Sequence, residues 1–183
     1  METTKTASDL DILVDNAMIY YGTFGDEQLK DLPELIKTLG DKELGVIQDT
    51  LKFEAKPVIQ DIKHAGSNGN KEAGWQRLIG WTTKIDTTIL NTSDGVFQAS
   101  LLEKDEATGK FKPIKAGLIP TSFYKDLLII GDNLKDGSPV GICVKSTYNT
   151  GGLQIEFKDK NENGVKMTFE GHSKGSDTPF IIL

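Results

Sequence analysis

The stretch Trp75-Gln76-Arg77-Leu78-Ile79-Gly80-Trp81-Thr82-Thr83-Lys84-Ile85-Asp86-Thr87-Thr88-Ile89-Leu90 decides the fold. One parity reads Trp75, Arg77, Ile79, Trp81, Thr83, Ile85, Thr87, Ile89 and the other Gln76, Leu78, Gly80, Thr82, Lys84, Asp86, Thr88, Leu90. β-Branched and aromatic residues at period two predict a strand. At roughly 3.3 Å per residue its sixteen residues would exceed about 50 Å, far beyond an ordinary strand. Gly80 is the expected bend. A strand of this length serves two neighbours, or an assembly.

Reading outward, Leu51, Phe53 and Ala55 alternate with Lys52, Glu54 and Lys56, a half-buried strand. Pro57 interrupts that ladder and Val58 and Ile62 take the opposite parity, so a bulge or bend at Pro57 is expected to re-aim the face. Val14 to Tyr21 predicts a strand with Met18 and Tyr20 on one face and Ala17, Ile19 and Tyr21 on the other. Leu29, Leu32, Ile36 and Leu39 have helical spacing around Pro33, predicting a short helix from about Pro33 closed by Gly40. Gly66-Ser67-Asn68-Gly69-Asn70 reads as a turn. Ser93-Asp94-Gly95 can cap a short helix with the stripe Val96, Phe97, Leu101. Strands are expected at Phe123–Ile130, Val140–Ser146, Leu153–Lys158 and Val165–Glu170. The last two form a hairpin burying Leu153, Ile155 and Phe157 with Val165, Met167 and Phe169.

These elements define a mostly β chain, a β-sandwich or partly closed barrel with one or two short helices. Residues 1–12 read as a mobile arm, 13–183 as a single domain, and 24–42 and 103–117 as projecting loops. The apolar end, Phe180, Ile181, Ile182 and Leu183, is either a last strand or an unpaired one seeking a partner, and these four are the expected assembly residues.

Composition narrows the function. The 183 residues hold 21 Lys+Arg against 27 Asp+Glu, a formal net charge of −6, without any Lys/Arg run. General nucleic-acid binding requires clustered cations and is therefore not expected. A single cysteine, Cys143, excludes an intrachain disulfide framework. The amino terminus lacks an apolar signal-like run, and no segment approaches the ~20 apolar residues of a membrane-spanning helix.

Chemistry-bearing motifs are few. Asp159, Asn161, Asn163 and Glu170 match the calcium-loop spacing D-x-[DN]-x-[DN]-G-x5-E. Their flanks have strand rather than helix period, and Asp, Asn and Gly in that order also make a hairpin turn. His64 and His172 lack metal-ligand spacing, and no nucleophile elbow precedes His172, Ser173 and Asp177. Cys143, between Ile142 and Val144, reads as a small strand residue. Trp75 and Trp81 read as core or interface packing. No catalytic group, cofactor or resident metal is expected, and the chain does not read as an enzyme.

Two further stretches carry a family resemblance. One runs Val58-Ile59-Gln60-Asp61-Ile62-Lys63-His64-Ala65-Gly66-Ser67-Asn68-Gly69-Asn70 and continues from Gly74 to Leu90. The other comprises Asn149-Thr150-Gly151-Gly152-Leu153-Gln154-Ile155, Lys158-Asp159-Lys160, Val165-Lys166-Met167-Thr168-Phe169-Glu170-Gly171-His172 and Asp177-Thr178-Pro179-Phe180-Ile181-Ile182. In this order they resemble the major tail tube proteins of long-tailed, non-contractile bacteriophages of Gram-positive hosts, over most of residues 43–183. Residues 24–42 and 103–117 are longer than that pattern. The resemblance implies the fold shared with type VI secretion tube proteins and a structural virion protein of the viral tail. Such a protein forms hexameric rings stacked into a conduit for DNA ejection. It also implies the partners: copies of itself, the tail terminator, tape measure and distal tail proteins, and genomic DNA passing without specific binding, with no membrane. The location implied is the virion tail, after synthesis in the host cytoplasm. The alternatives are a monomeric β-barrel binding a small ligand, or a calcium-binding adhesin-like module built on the 159–170 loop.

Overall fold

The computed structural model describes residues 13–63, 73–90, 93–133, 136–155, 164–172 and 178–183. The chain is mostly β, with ten strands and two short α-helices among these residues. The strands are β1 (Leu13–Gly22), β2 (Glu43–Asp61), β3 (Gln76–Ile89), β4 (Leu102–Lys104), β5 (Phe111–Pro113), β6 (Lys125–Asn133), β7 (Pro139–Asn149), β8 (Gln154–Ile155), β9 (Val165–Gly171) and β10 (Phe180–Ile182). The helices are α1 (Leu32–Ile36) and α2 (Asp94–Ala99).

Eight strands form one antiparallel sheet in the order β10-β7-β6-β1-β2-β3-β9-β8, and β7 also pairs with β9. That extra pairing, Thr147 to Asn149 against Gly171 to Phe169, closes β7-β6-β1-β2-β3-β9 on itself as a small barrel. Closure satisfies backbone groups that an open sheet would leave at its edges. The interior is filled by side chains: Ile19, Tyr21, Ile85, Leu127, Val144 and Phe169 are buried there, and α2 contributes Val96 and Ala99. The Tyr21 hydroxyl lies within donating distance of the carbonyls of Phe123 (2.7 Å) and Thr147 (3.1 Å). Burial pushes its phenol well above the ordinary value.

Alternation along β1 divides as expected. Ile19 and Tyr21 enter the barrel, while Tyr20 and Met18 face a second cluster outside it. Tyr20, Leu128, Ile130 and Cys143 make the outer surface of β1, β6 and β7 apolar, and residues 24–42 cover it. This segment does not project as expected. Phe24, Leu29, Leu32, Leu35 and Leu39 are buried on the sheet, because an apolar outer face must be shielded from water. α1 starts at Leu32 with Pro33 in its first turn, and its Asp31 cap accepts from the Glu34 amide at 3.1 Å. It ends at Ile36, before the expected Gly40. The amides of Thr38 and Leu39 bond three residues back, tightening the chain so that Leu39 turns inward, and Gly40–Lys42 forms a separate 3₁₀ turn.

Asp126 ties this cap to the barrel. Its carboxylate accepts from the Phe24 amide (3.1 Å), the Ser146 amide (3.1 Å) and the Lys145 ammonium (3.3 Å). Lys145 also donates to the Phe24 carbonyl at 2.8 Å. Burial alone would lower the Lys145 pKa, but the Asp126 carboxylate, together with smaller contributions that include Asp26, holds the ammonium above its ordinary value.

The loop at 103–117 is a hairpin, β4 with β5, whose Phe111 ring lies 4.8 Å from Phe97 of α2. The end of the chain pairs at home. Phe180, Ile181 and Ile182 stand opposite Val144, Cys143 and Ile142 of β7, and the Leu183 amide donates to Gly141 at 2.8 Å. The 66–70 turn and the 1–12 arm lie outside the described residues.

Candidate assembly surface

β2 and β3 are continuous through the barrel and beyond it. β1 pairs with β2 only from Glu43 to Val46, and β9 pairs with β3 only from Lys84 to Ile89. From Ala55 opposite Thr83 to Asp61 opposite Gln76, the two strands have only each other among the described residues. They form a two-stranded ribbon roughly 20 Å long, with both backbone edges open. Pro57 keeps its place opposite Trp81, so the bulge expected there is displaced. A residue without an N–H costs nothing on an edge that has no second neighbour. The irregularity falls one step on: Val58 opposes Gly80, Ile59 opposes Leu78, and Ile79 is the extra residue beside the expected bend at Gly80. A second irregularity places Asp49 and Thr50 between the Gln48–Thr88 and Leu51–Thr87 pairs.

Inside the barrel, β3 sends Thr83, Ile85, Thr87 and Ile89 to the core. Their parity continues on the ribbon through Trp81 to Leu78, which is 53% exposed beside Ile59 at 52%. On the opposite parity, Val58 and Ile79 are exposed too, and beyond them the Ile62 amide donates to Trp75 at 2.8 Å. Both ribbon faces therefore expose apolar side chains, although the outer one also carries Lys56, Gln60, Thr82 and Arg77. An isolated two-stranded hairpin is marginal in water, and apolar side chains exposed on both faces worsen that balance.

The root of the ribbon is held. Phe180 packs edge-on against Phe53 (5.5 Å between centroids) and Trp81 (5.6 Å), so the chain end clamps the place where the ribbon leaves the barrel. On the outer face, Glu54 pairs with Lys56 (2.6 Å) and Lys52 (3.4 Å), and Asp86 with Lys84 (2.9 Å). Hydrogen bonding from Lys56 holds the Glu54 carboxyl below its ordinary value, and Lys84 does the same for Asp86, which also accepts from Thr168 at 2.7 Å. Such exposed pairs add little stability, but they keep that face polar.

Of the other candidate residues, Asp159, Asn161 and Asn163 lie outside the described residues, and Glu170 is exposed on β9 opposite Lys84. His172 stacks on Tyr148 (4.7 Å) and stands edge-on to Tyr124 (5.5 Å), while Ser173, Asp177 and His64 lie outside the described residues. Cys143 is buried under the cap, and burial pushes its thiol up to about 12, so it is inert. Among the described residues no three His, Cys, Asp or Glu side chains converge as metal ligands, and no helix is long and apolar enough to cross a membrane. Of the four expected assembly residues, Phe180, Ile181 and Leu183 are spent on the chain's own two clusters and only Ile182 is exposed. The larger unpartnered apolar surface is the ribbon. Its signal in the sequence is the adjacency of Val58 with Ile59 and of Leu78 with Ile79, which puts apolar side chains on both parities.

No protein-family model matches the chain, and no curated protein matches it. Among solved structures it is similar to a chain of the sheath-tube complex of an extracellular contractile injection system, PVC, in the extended state. That likeness has 13% identity and a TM-score of 0.48, over 98% of this chain and 99% of the other.

Proposed function

We propose that this protein is a structural subunit that assembles with copies of itself into the tube of a phage tail or a related injection apparatus, and that it catalyses nothing. The observation carrying this reading is the β2–β3 ribbon, with two open edges and apolar side chains on both faces that the described residues leave uncovered. Neighbouring strands added along those edges would satisfy the backbone, and neighbouring copies would bury the faces. One patch docking on a different patch of the next copy closes into rings or propagates as a filament. The sequence resemblance to tail tube proteins makes hexameric rings, stacked as a conduit for DNA, the specific form proposed. Its partners would be the terminator, tape measure and distal tail proteins, and its place the virion tail. DNA would pass without binding, in keeping with the −6 charge and the scattered cations.

The small-ligand barrel is disfavoured because the barrel interior is filled by Phe169, Ile85, Met167 and their neighbours. Negative-stain microscopy of the purified chain across a concentration series tests the proposal. Rings or hollow tubes are the expected result; a monodisperse monomer at millimolar concentration overturns it.

A further inference from the structure

Resting on that self-assembly reading, we infer that the free end of the β2–β3 ribbon docks on the 24–42 cap of a second copy, head to tail, with a cap carboxylate seated between Lys63 and Arg77. Three features of the molecule support this pairing. The ribbon end carries a concavity of about 560 Å³ lined by Gln60, Asp61, Ile62, Lys63 and Arg77. Asp61 accepts from the Gln76 amide at 2.8 Å, and the two cations stand beside exposed Ile62 and Leu78. A notch with a guanidinium and an ammonium against the one Asp61 carboxylate, with Ile62 on its wall, suits a carboxylate presented on a partly apolar surface.

The cap offers that surface. Residues 24–42 carry five carboxylates (Asp26, Glu27, Asp31, Glu34 and Asp41) against three ammonium groups (Lys30, Lys37 and Lys42). Asp26 is turned to Lys145 at 3.4 Å and Asp31 caps α1, and Ile36 beside them is exposed. Glu27 and Glu34 are held only by exposed Lys30 and Lys37. Exchanging such surface pairs for new ones costs little.

Geometry makes the contact intermolecular. The cap enters β2 at Glu43, and the notch stands at the far end of that strand, at Asp61. Eighteen residue steps of extended chain, about 60 Å of contour, separate the two, and among the described residues no main contact between elements joins the ribbon end to the cap. Two different patches at opposite ends of one molecule make a heterologous contact, which repeats from copy to copy.

The test uses full-length chains of two kinds. One carries Lys63→Glu with Arg77→Glu, the other Glu27→Lys with Glu34→Lys; all four sites are exposed, and circular dichroism and melting confirm the fold. Each variant alone sets like charges against each other at the contact, and its critical assembly concentration should rise about tenfold or more. Mixed in equal amounts, acidic ribbon ends meet basic caps and basic ends meet acidic caps, and assembly should return towards the wild-type threshold. Wild-type chains that assemble while the variants are unaffected, or a mixture that fails to recover, overturn this docking and leave the tube reading standing. A wild-type chain that never assembles overturns both.

Discussion

The same two strands run through the barrel and the ribbon, and their sequence hardly changes between the two. Leu51, Phe53, Ile85 and Ile89 lie in or against the core, whereas Ile59, Leu78 and Ile79, of the same chemistry, are half exposed. What differs is the neighbour. β1 and β9 flank the barrel part and stop, and past that point β2 and β3 continue with only each other among the described residues. Apolar alternation thus specifies a surface to be buried without specifying whether the same chain buries it. The barrel is covered by its own closure, its cap and its clamp at Phe180; the ribbon has chemistry suited to a partner.

The largest expected effect follows directly. Phe169 is fully buried against Tyr21, and Phe169→Ala should cost about 3–5 kcal/mol of stability in urea denaturation of dispersed chains. Leu78→Ser on the ribbon should change the stability of dispersed chains by less than about 0.5 kcal/mol, as exposed sites do, while impairing assembly. If Leu78→Ser instead destabilised dispersed chains by several times that amount, the ribbon would be covered by its own molecule and the contrast would fail.

A second effect concerns how the cap is fastened to the barrel. Asp126→Ala removes the acceptor of two backbone amides and leaves the poorly exposed Lys145 ammonium with only the exposed Asp26 carboxylate at 3.4 Å. A cost of about 2–4 kcal/mol is expected, since two amides lose their acceptor and the ammonium loses the better buried of its two carboxylates. Lys145→Met in the Asp126→Ala background should recover part of it. The pH dependence has a definite sign. Because the Lys145 ammonium titrates above its ordinary value of 10.5 in the folded chain, its contribution is complete below that value. It is lost as pH rises through the higher folded value. The stability difference between wild type and Lys145→Met should therefore be constant across neutral pH and shrink above about pH 10.5. A difference that instead vanished on acidification to pH 6 would remove this ion pair from the account.

Much of the barrel was legible in the sequence. The periodicity of Val14–Tyr21 and Val165–Glu170 gave their faces, and the Gly80 bend fell beside the observed bulge. The cap was less legible because its signal lies elsewhere in the chain. The unbroken run Leu127-Leu128-Ile129-Ile130 announces a strand buried on both faces, and that second face is what holds residues 24–42 down. Pro57 misled because its effect depends on which edge of the strand is paired, a tertiary fact. The candidate site was legible only in outline. The length of the Trp75–Leu90 strand announced a continuation beyond its neighbours, but which of its side chains stay exposed depends on where β1 and β9 stop. Short apolar tails pair at home or abroad by the same chemistry, and only topology separates the cases.

The smallest effect lies inside the barrel and has the opposite sign. Thr83 and Thr87 face the core from β3, and among the described residues neither hydroxyl has a hydrogen-bond partner. A buried hydroxyl without a partner bears its desolvation cost uncompensated, and valine keeps the shape and β-branching while removing it. Thr87→Val should accordingly raise stability by about 0.5–1 kcal/mol. Thr83→Val should gain less, because β9 passes so close that a Cβ added at Gly171 would collide with the Thr83 hydroxyl, leaving little space for rearrangement. Thr82→Val, on the exposed outer parity, should stay within about 0.5 kcal/mol of wild type. Urea denaturation of the three variants reads the order directly. A loss of stability on Thr87→Val would show that its hydroxyl is satisfied in the folded protein, and the barrel interior would then be more polar than its side chains imply.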